Sequence, residues 1–297
     1  MGSDGGHVPV LLAETLELLA VRPGEFFVDG TLGLGGHAAA ILRASAPGGR
    51  LLGLDRDGET LDRARGPLAE FGDRARLEQG DFREIPERLA GAEADGILLD
   101  LGVSSAQLDE AERGFSFQKE GPLDMRMDRS GGPTAASLVN QMSERDLADI
   151  VYEYGQEPAS RRIARAIVRA REQHPITTTT ELADIVRRAA PRRGRPGHHP
   201  ATRTFQALRI RTNRELDGLG EALERIAGCL RPGGRMAVIS FHSLEDRAAK
   251  GAMRALAARG FRALTRKPVR PGEAEVHLNP RARSARLRAV LRGEASP

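Results

Sequence analysis

The sequence predicts an α/β protein with a doubly wound, mostly parallel sheet that is interrupted by an inserted helical domain. Three observations predict it. Apolar runs of strand length alternate with amphipathic runs of helix length from Glu25 to Asp100. The first apolar run ends in a glycine loop, Asp29-Gly-Thr-Leu-Gly-Leu-Gly-Gly-His37, that opens a helix. The alternation stops at Asp100 and resumes only after the turn Pro232-Gly233-Gly234.

In chain order, Met1–Gly6 is glycine-rich and reads as a disordered end. His7-Val-Pro-Val-Leu-Leu leads into a short amphipathic helix that stops before Pro23-Gly24. A strand over Glu25–Asp29, the glycine loop and a helix over His37–Ala44 follow, and Pro47-Gly48-Gly49 turns the chain into a strand over Arg50–Leu54 that stops at Asp55. A helix over Thr60–Phe71 comes next. Strands over Ala75–Gln79 and Gly96–Leu99 then close on Gly80-Asp81-Phe82 and on Asp100. The stretch from 106 to 204 carries helices of its own, over Glu144–Tyr154, Ser160–Gln173 and Glu181–Ala189, the last opened by Thr178 at capping-box spacing from Glu181. A helix over Asn213–Cys229 returns the chain to the sheet. Strand Arg235–Phe241, helix Leu244–Arg259 and two final strands, Phe261–Thr265 and Arg286–Leu291, read as an antiparallel finish. The expected division is 1–105 with 205–297 as the sheet domain and 106–204 as the inserted helical domain.

Composition narrows the class. With 297 residues and 40% hydrophobic content the chain can bury a sizeable core. Cys229 is the only cysteine, which excludes an internal disulfide and any multi-cysteine zinc site, and no metal is expected. His7 to Val21 is apolar at helical spacing but carries Glu14 and Glu17 and no basic leader, so it reads as neither signal peptide nor membrane span. A cytoplasmic location is the default. The net charge is +4, and nearly all the positive charge is arginine. Between Asp184 and Glu215 no acidic residue occurs, while Arg187, Arg188, Arg192, Arg193, Arg195, Arg203, Arg209, Arg211 and Arg214 accumulate with His198 and His199. A second basic run spans Arg281 to Arg292. Such runs are usually solvated surface, but two of one sign flanking a cleft fit phosphate binding better.

Glycines at 33, 35 and 36 let backbone N–H groups approach a ligand, and the helix start adds positive dipole. Alone, the loop fits a plain turn or the loose dinucleotide pattern Gly33-x-Gly35-x-x-Ala38 equally well. Asp55, 20 residues past Gly35 at a strand end, can accept both hydroxyls of a ribose. Asp29 at the end of the first strand suits an ammonium group. S-adenosylmethionine has that ammonium, a carboxylate and a ribose, and lacks phosphate; Asp81-Phe82 and Asp100 then fall beside its adenine and sulfonium.

Long motifs carry a resemblance. His7-Val-Pro-Val-Leu-Leu, Asp29-Gly-Thr-Leu-Gly-Leu-Gly-Gly-His37, Leu54-Asp-Arg-Asp57, Leu98-Leu-Asp-Leu-Gly-Val-Ser-Ser105, Arg113-Gly-Phe-Ser-Phe117, Gly121-Pro-Leu-Asp-Met-Arg-Met-Asp128, His199-Pro-Ala-Thr-Arg-Thr-Phe-Gln-Ala-Leu-Arg209, Ser240-Phe-His-Ser-Leu-Glu-Asp-Arg247 and Asn279-Pro-Arg-Ala-Arg-Ser284 resemble the bacterial small-subunit ribosomal RNA cytosine-N4 methyltransferases. The match spans nearly the whole chain in order. The resemblance implies a class I, Rossmann-like methyltransferase with S-adenosylmethionine as cofactor. It also implies small-subunit ribosomal RNA, or the assembled subunit, as partner, and a helical insertion that helps hold the RNA. It implies cofactor contacts at Gly35, Gly36, His37, Asp55, Phe82, Asp100 and Gln107. Thr31 stands where many other class I methyltransferases have a third glycine.

Asp100 is the candidate catalytic residue, by strand position, since Asp100-Leu-Gly-Val lacks the acid-or-amide, Pro-Pro-aromatic motif of many amino-methyltransferases. Several residues have a plainer reading as well. Asp100 can cap local N–H groups, and His37 can be an ordinary first-turn residue. Ser240 and His242 can be a satisfied polar pair on a turn, and Phe115 and Phe117 can be core rather than base-stacking rings. The rival functions are a non-catalytic ribosome-assembly factor, a nicotinamide-dependent oxidoreductase, and a methyltransferase acting on DNA or a small molecule.

Overall fold

The computed structural model describes residues 9–190 and 199–294. The Met1–Gly6 tail, His7, Arg192, Arg193, Arg195 and His198, all read from the sequence above, lie outside the described residues. The chain divides into two compact units: Met1–Gly102 with Gly218–Pro297, and Val103–Asp217. Among the described residues no helix is long and apolar enough to cross a membrane.

The first unit is built on seven strands: β1 Phe26–Asp29, β2 Arg50–Asp55, β3 Ala75–Gln79, β4 Ala94–Asp100, β5 Leu230–Ser240, β6 Phe261–Ala263 and β7 Arg286–Arg292. Their order across the sheet is β3-β2-β1-β4-β5-β7-β6. β1 pairs in parallel with β2 on one side and β4 on the other, with Val28 opposite Leu52 and Ile97. β7 alone runs against its neighbours, antiparallel to both β5 and β6. A parallel sheet is covered on both faces, so its strands are continuous apolar runs. Ile97, Leu98 and Leu99 of β4 are all fully buried. One face packs Phe27, Leu51 and Leu98 against Ile41 and Leu42 of helix Gly36–Ala44 and Leu61 and Leu68 of helix Gly58–Leu68. Each such side chain contributes ~1.5–3 kcal/mol through the area it removes from water.

Two expectations change here. β5 starts at Leu230, before the Pro232-Gly233-Gly234 turn, because Leu230 pairs with Ala94 and the register shifts between Ala94 and Gly96. Arg231, which bonds to Asp95 and to Glu25, clamps that irregularity. The helix expected over Asn213–Cys229 starts later and is shorter, because Asn213 closes a separate helix instead of opening this one. Helix Thr202–Asn213 ends at Arg214 in the left-handed region (φ 52°), Gly218 is left-handed as well (φ 60°), and a new helix runs Leu219–Ala227. Hydrophobic periodicity continues across the break, so only the backbone reveals it.

The second unit is helical. Helices Ala135–Gln141, Glu144–Glu153, Ser160–Arg171, Thr179–Ala189 and Thr202–Asn213 enclose a core that includes Leu123, Met125, Val139, Leu147, Ile163, Leu182 and Phe205. Thr178 caps its helix through the Glu181 N–H at 3.3 Å, as the spacing predicts. Asn213, 4% exposed, ties the loop before these helices in place: its Oδ1 accepts the Met127 N–H (2.8 Å) and its Nδ2 donates to the Met125 carbonyl (2.7 Å). Phe115 is buried in this core, and the Phe117 ring meets Phe205 edge-on at 4.8 Å and His199 at 4.6 Å. Both phenylalanines therefore pack the unit.

Candidate active site

Parallel strands place their carboxyl ends on one edge of the sheet, and the crevice opens where neighbouring connections diverge, here between β1 and β4. The loop after β1 is braced from both sides. The Gly30 N–H donates to the Leu98 carbonyl (2.9 Å) and the Leu32 N–H to the Leu54 carbonyl (2.8 Å). A Cβ on Gly30 would lie 2.5 Å from Leu99 Cδ2 and 2.9 Å from Ile85 Cδ1, so any larger residue there must displace both side chains. Gly35 is left-handed (φ 81°) and starts helix Gly36–Ala44. Thr31, in place of a third loop glycine, braces the strand ends. Its Oγ1 accepts the Asp100 N–H at 2.6 Å and ties the ends of β1 and β4 together.

Four acidic side chains are collected at these strand ends. Asp29 is 1% exposed. Burial pushes its carboxyl up to about 7, against the Thr31 N–H (3.1 Å) and with the help of the Asp55 charge. Asp55 is pushed up to about 6, again chiefly by burial, although it accepts the Asp57 N–H on Oδ1 (2.9 Å) and the Gly33 N–H on Oδ2 (2.8 Å). Asp100 is held well above the usual carboxylate range by burial first, then by the charges of Asp29 and Glu245. Glu245, 2% exposed, accepts the N–H groups of Phe241 (2.8 Å) and His242 (3.3 Å).

An acidic ring of this kind asks for a cation or an N–H donor. Asp100 Oδ1 is buried and makes no hydrogen bond, a state that costs about 1–3 kcal/mol until a donor arrives. The plain reading of Asp100 as a cap for local N–H groups therefore fails at this oxygen. S-adenosylmethionine fits: it brings a sulfonium and an ammonium to the acids and a ribose to the remaining lone pairs of Asp55. A nicotinamide dinucleotide fits poorly, because its pyrophosphate would meet these same carboxylates.

His37 is buried on the first turn of its helix, with Nε2 3.1 Å from the Val10 carbonyl and Nδ1 3.8 Å from Asp100 Oδ2. Asp29, Gly33, His37, Asp55 and Asp100 thus converge in the first unit. Phe82 is beside them, its Cβ 3.0 Å from where a Gly30 side chain would start, with the Arg83 guanidinium 4.7 Å from its ring centroid. Asp81 caps the turn Phe82–Glu84 and pairs with Arg83 at 3.0 Å. Gln107 belongs to the second unit, where it caps helix Ser105–Asp109 by exchanging bonds with Ser104. Ser240 Oγ donates to the Arg286 carbonyl (3.4 Å), and His242 Nδ1 accepts the Glu245 N–H (3.3 Å), the turn-capping arrangement. Sequence reasoning missed Glu245; its signal was the N-cap to N3 spacing from His242, which marks a capping box.

The arginine clusters are partly consumed within the fold. Arg187 and Arg188 pair with Asp184, Arg203 with Glu157, Arg209 with Glu215 and Arg214 with Asp217. In the C-terminal run Arg286 and Arg288 share Asp246, and Arg292 pairs with Glu93. These side chains keep their charge but are held in place by carboxylates, some one helical turn away, as for Arg187 and Arg214, and others distant in sequence, as for Arg203, Arg286, Arg288 and Arg292.

A mostly parallel sheet in this order, with a glycine loop after its first strand and acidic strand ends suited to a sulfonium cofactor, defines a class I S-adenosylmethionine-dependent methyltransferase. The MraW methylase family profile matches residues 4–292, and the chain belongs to that family. It is 53% identical over 306 residues to Ribosomal RNA small subunit methyltransferase H of Syntrophotalea carbinolica, covering 96% of this chain and 98% of that protein. The protein of the same name from Symbiobacterium thermophilum is 51% identical over 309 residues, covering 97% of each. Among solved structures, an rRNA methylase from Streptococcus thermophilus aligns with a TM-score of 0.46 at 12% identity, over 97% of this chain and 100% of that one.

Proposed function

We propose that this chain transfers a methyl group from S-adenosylmethionine to the exocyclic N4 amine of a cytidine in the decoding region of small-subunit ribosomal RNA, in the cytoplasm. Membership of the MraW family and the names of relatives at half identity over their full length support the RNA substrate. The observation that carries the amine chemistry is the buried, unbonded Asp100 Oδ1.

When bound, the cofactor supplies an electrophilic methyl group on a cationic sulfur. Gly35, Gly36, His37, Asp55, Phe82 and Gln107 are the residues assigned to hold it, with Asp29 nearest the demand for an ammonium. Asp100 acts on the acceptor. A cytosine amine is a poor nucleophile because its lone pair is delocalised into the ring. A carboxylate accepting its N–H favours rehybridisation and receives the surplus proton once the new C–N bond has formed. Raised titration suits that duty, since burial makes the ionised form of this carboxyl a stronger proton acceptor.

RNA binding is assigned to the second unit and the C-terminal basic run. Arg161, Arg169 and Arg211 are exposed and make no salt bridge among the described residues, so they are assigned to phosphates. The partner in this reading is small-subunit ribosomal RNA, free or in the assembled subunit, since a helical unit with spaced arginines recognises folded RNA by shape. The test is methyl transfer from labelled cofactor to small subunits lacking the mark, followed by nuclease digestion and mass spectrometry. Label on the N4 atom of one cytidine is expected. Cofactor binding without label at any assembly stage would leave the assembly-factor reading instead.

A further inference from the structure

Helix Glu273–Leu278 lies far along the chain from the glycine loop, yet Glu275 Oε1 accepts the Leu11 N–H at 2.8 Å, across 264 positions. Leu11 is fully buried and left-handed (φ 54°), and no side chain caps the helix Leu12–Leu19 that it precedes. Glu275 therefore supplies the acceptor that this helix start lacks locally. The left-handed turn brings the preceding residues back over the cofactor loop. A Cβ on Gly36 would lie 2.5 Å from Pro9 Cγ, and the Val10 carbonyl is 3.1 Å from His37 Nε2.

A carbonyl only accepts, so Nε2 carries the hydrogen and Nδ1 of the neutral ring is an unprotonated acceptor. That nitrogen faces Asp100 Oδ2 at 3.8 Å. We propose that Glu275 is a positioning residue for methyl transfer: by holding Leu11 it keeps the Val10 carbonyl on His37 Nε2, and so presents His37 Nδ1 to Asp100. The part that concerns catalysis rests on the reading of Asp100 given above. Methylation of the amine leaves one surplus proton. Asp100 accepts it, His37 Nδ1 takes it while Nε2 still donates to Val10, and it returns through Asp100, the more exposed of the two side chains, to water. No other bond changes, and Asp100 is left ionised for the next turnover.

The test compares Glu275→Ala with Glu275→Gln, which keeps an acceptor oxygen. Nitrogen-15 NMR of histidine-labelled protein, with His37 assigned by His37→Gln, distinguishes a protonated ring nitrogen from an unprotonated one without any RNA. The unsubstituted protein and Glu275→Gln are expected to hold the Nε2–H form, and Glu275→Ala to populate both forms. In steady-state methyl transfer at saturating cofactor Glu275→Ala is expected to lose about tenfold in kcat, with any rise in cofactor KM smaller than that loss, and Glu275→Gln to restore kcat. Unchanged His37 tautomers and kcat in Glu275→Ala overturn the proposal, as does a Glu275→Gln protein that loses the Nε2–H form. If Glu275→Ala does not fold, the His37 signal of Glu275→Gln decides alone. Should the unsubstituted protein methylate no RNA, the proposed function falls while the tautomer comparison still judges the Glu275 contact.

Discussion

Raising the pH from about 5 to about 8 is expected to destabilise the first unit in the absence of ligand, and Asp29→Asn is expected to remove most of that loss. Asp29 titrates at about 7 in the folded chain against 3.8 ordinarily. Between those values the folded state binds more protons than the unfolded one, so stability falls as pH rises and the loss is complete above about 7. At ~1.4 kcal/mol per pH unit, the two units between pH 5 and about 7 amount to about 3 kcal/mol. Asp55, at about 6, acts in the same direction, but Asp29 and Asp55 feel each other's charge and titrate as a pair, so the two losses are not added. Asp124 works in a different window. Burial raises it, but its hydrogen bonds to Arg126 and the Arg126 charge outweigh burial and hold it below the usual range; its contribution disappears only as the pH falls below about 4. Hydrogen exchange of β1 and β2 amides, corrected for intrinsic rate, reads the first unit separately from the second. Exchange free energies that stay level or rise from pH 5 to 8, or an Asp29→Asn protein with the original slope, would refute the reasoning. Cofactor affinity should run the other way, tightening over the same window as the acids ionise to meet the sulfonium and ammonium.

Further substitutions address single contacts. Asp100→Asn is expected to lower kcat for methyl transfer about 100-fold or more while circular dichroism and melting stay close to the original; near-normal turnover would remove Asp100 from catalysis. Thr31→Val leaves the Asp100 N–H without its acceptor and is expected to cost about 1–3 kcal/mol and to weaken cofactor binding in calorimetry. Asn213→Leu strands the Met127 N–H and the Met125 carbonyl, and is expected to destabilise the second unit by about 2–4 kcal/mol, read from exchange of the amides of helices Glu144–Glu153 and Ser160–Arg171. Gly30→Ala, with its Cβ 2.5 Å from Leu99 Cδ2, is expected to lower the melting temperature by several degrees.

The sheet was legible because its strands are short apolar runs stopped by polar residues: Ala75–Gln79 holds at both ends, and Asp55 and Asp100 stand at strand termini as expected. Helix caps were legible where the partner is three residues away, as for Thr178. Contacts that close over long sequence separation were not. Nothing local marks the 69-residue reach from Thr31 to Asp100 or the pairing of Arg203 with Glu157. The burial of Glu245 was not legible because burial of a charged residue depends on the hydrogen bonds that folding supplies. The arginine clusters misled in part for the same reason: composition counts charges, and only packing says which are already answered.

The first unit is discontinuous, and this has a consequence for the growing chain. β4 ends at Asp100 and its partner β5 begins at Leu230, about 130 residues later. At synthesis rates of about 5–20 residues per second that interval is roughly 7–26 s. Through it, a half-sheet of β1 to β4 that has left the ribosome carries an open strand edge flanked by Ile97, Leu98 and Leu99, the kind of edge that recruits unrelated strands. The helical unit emerges meanwhile and can fold on local contacts, which form fast. Protection of the nascent edge by a chaperone therefore has its greatest value during synthesis of the insertion, and shortening that insertion would shorten the exposure.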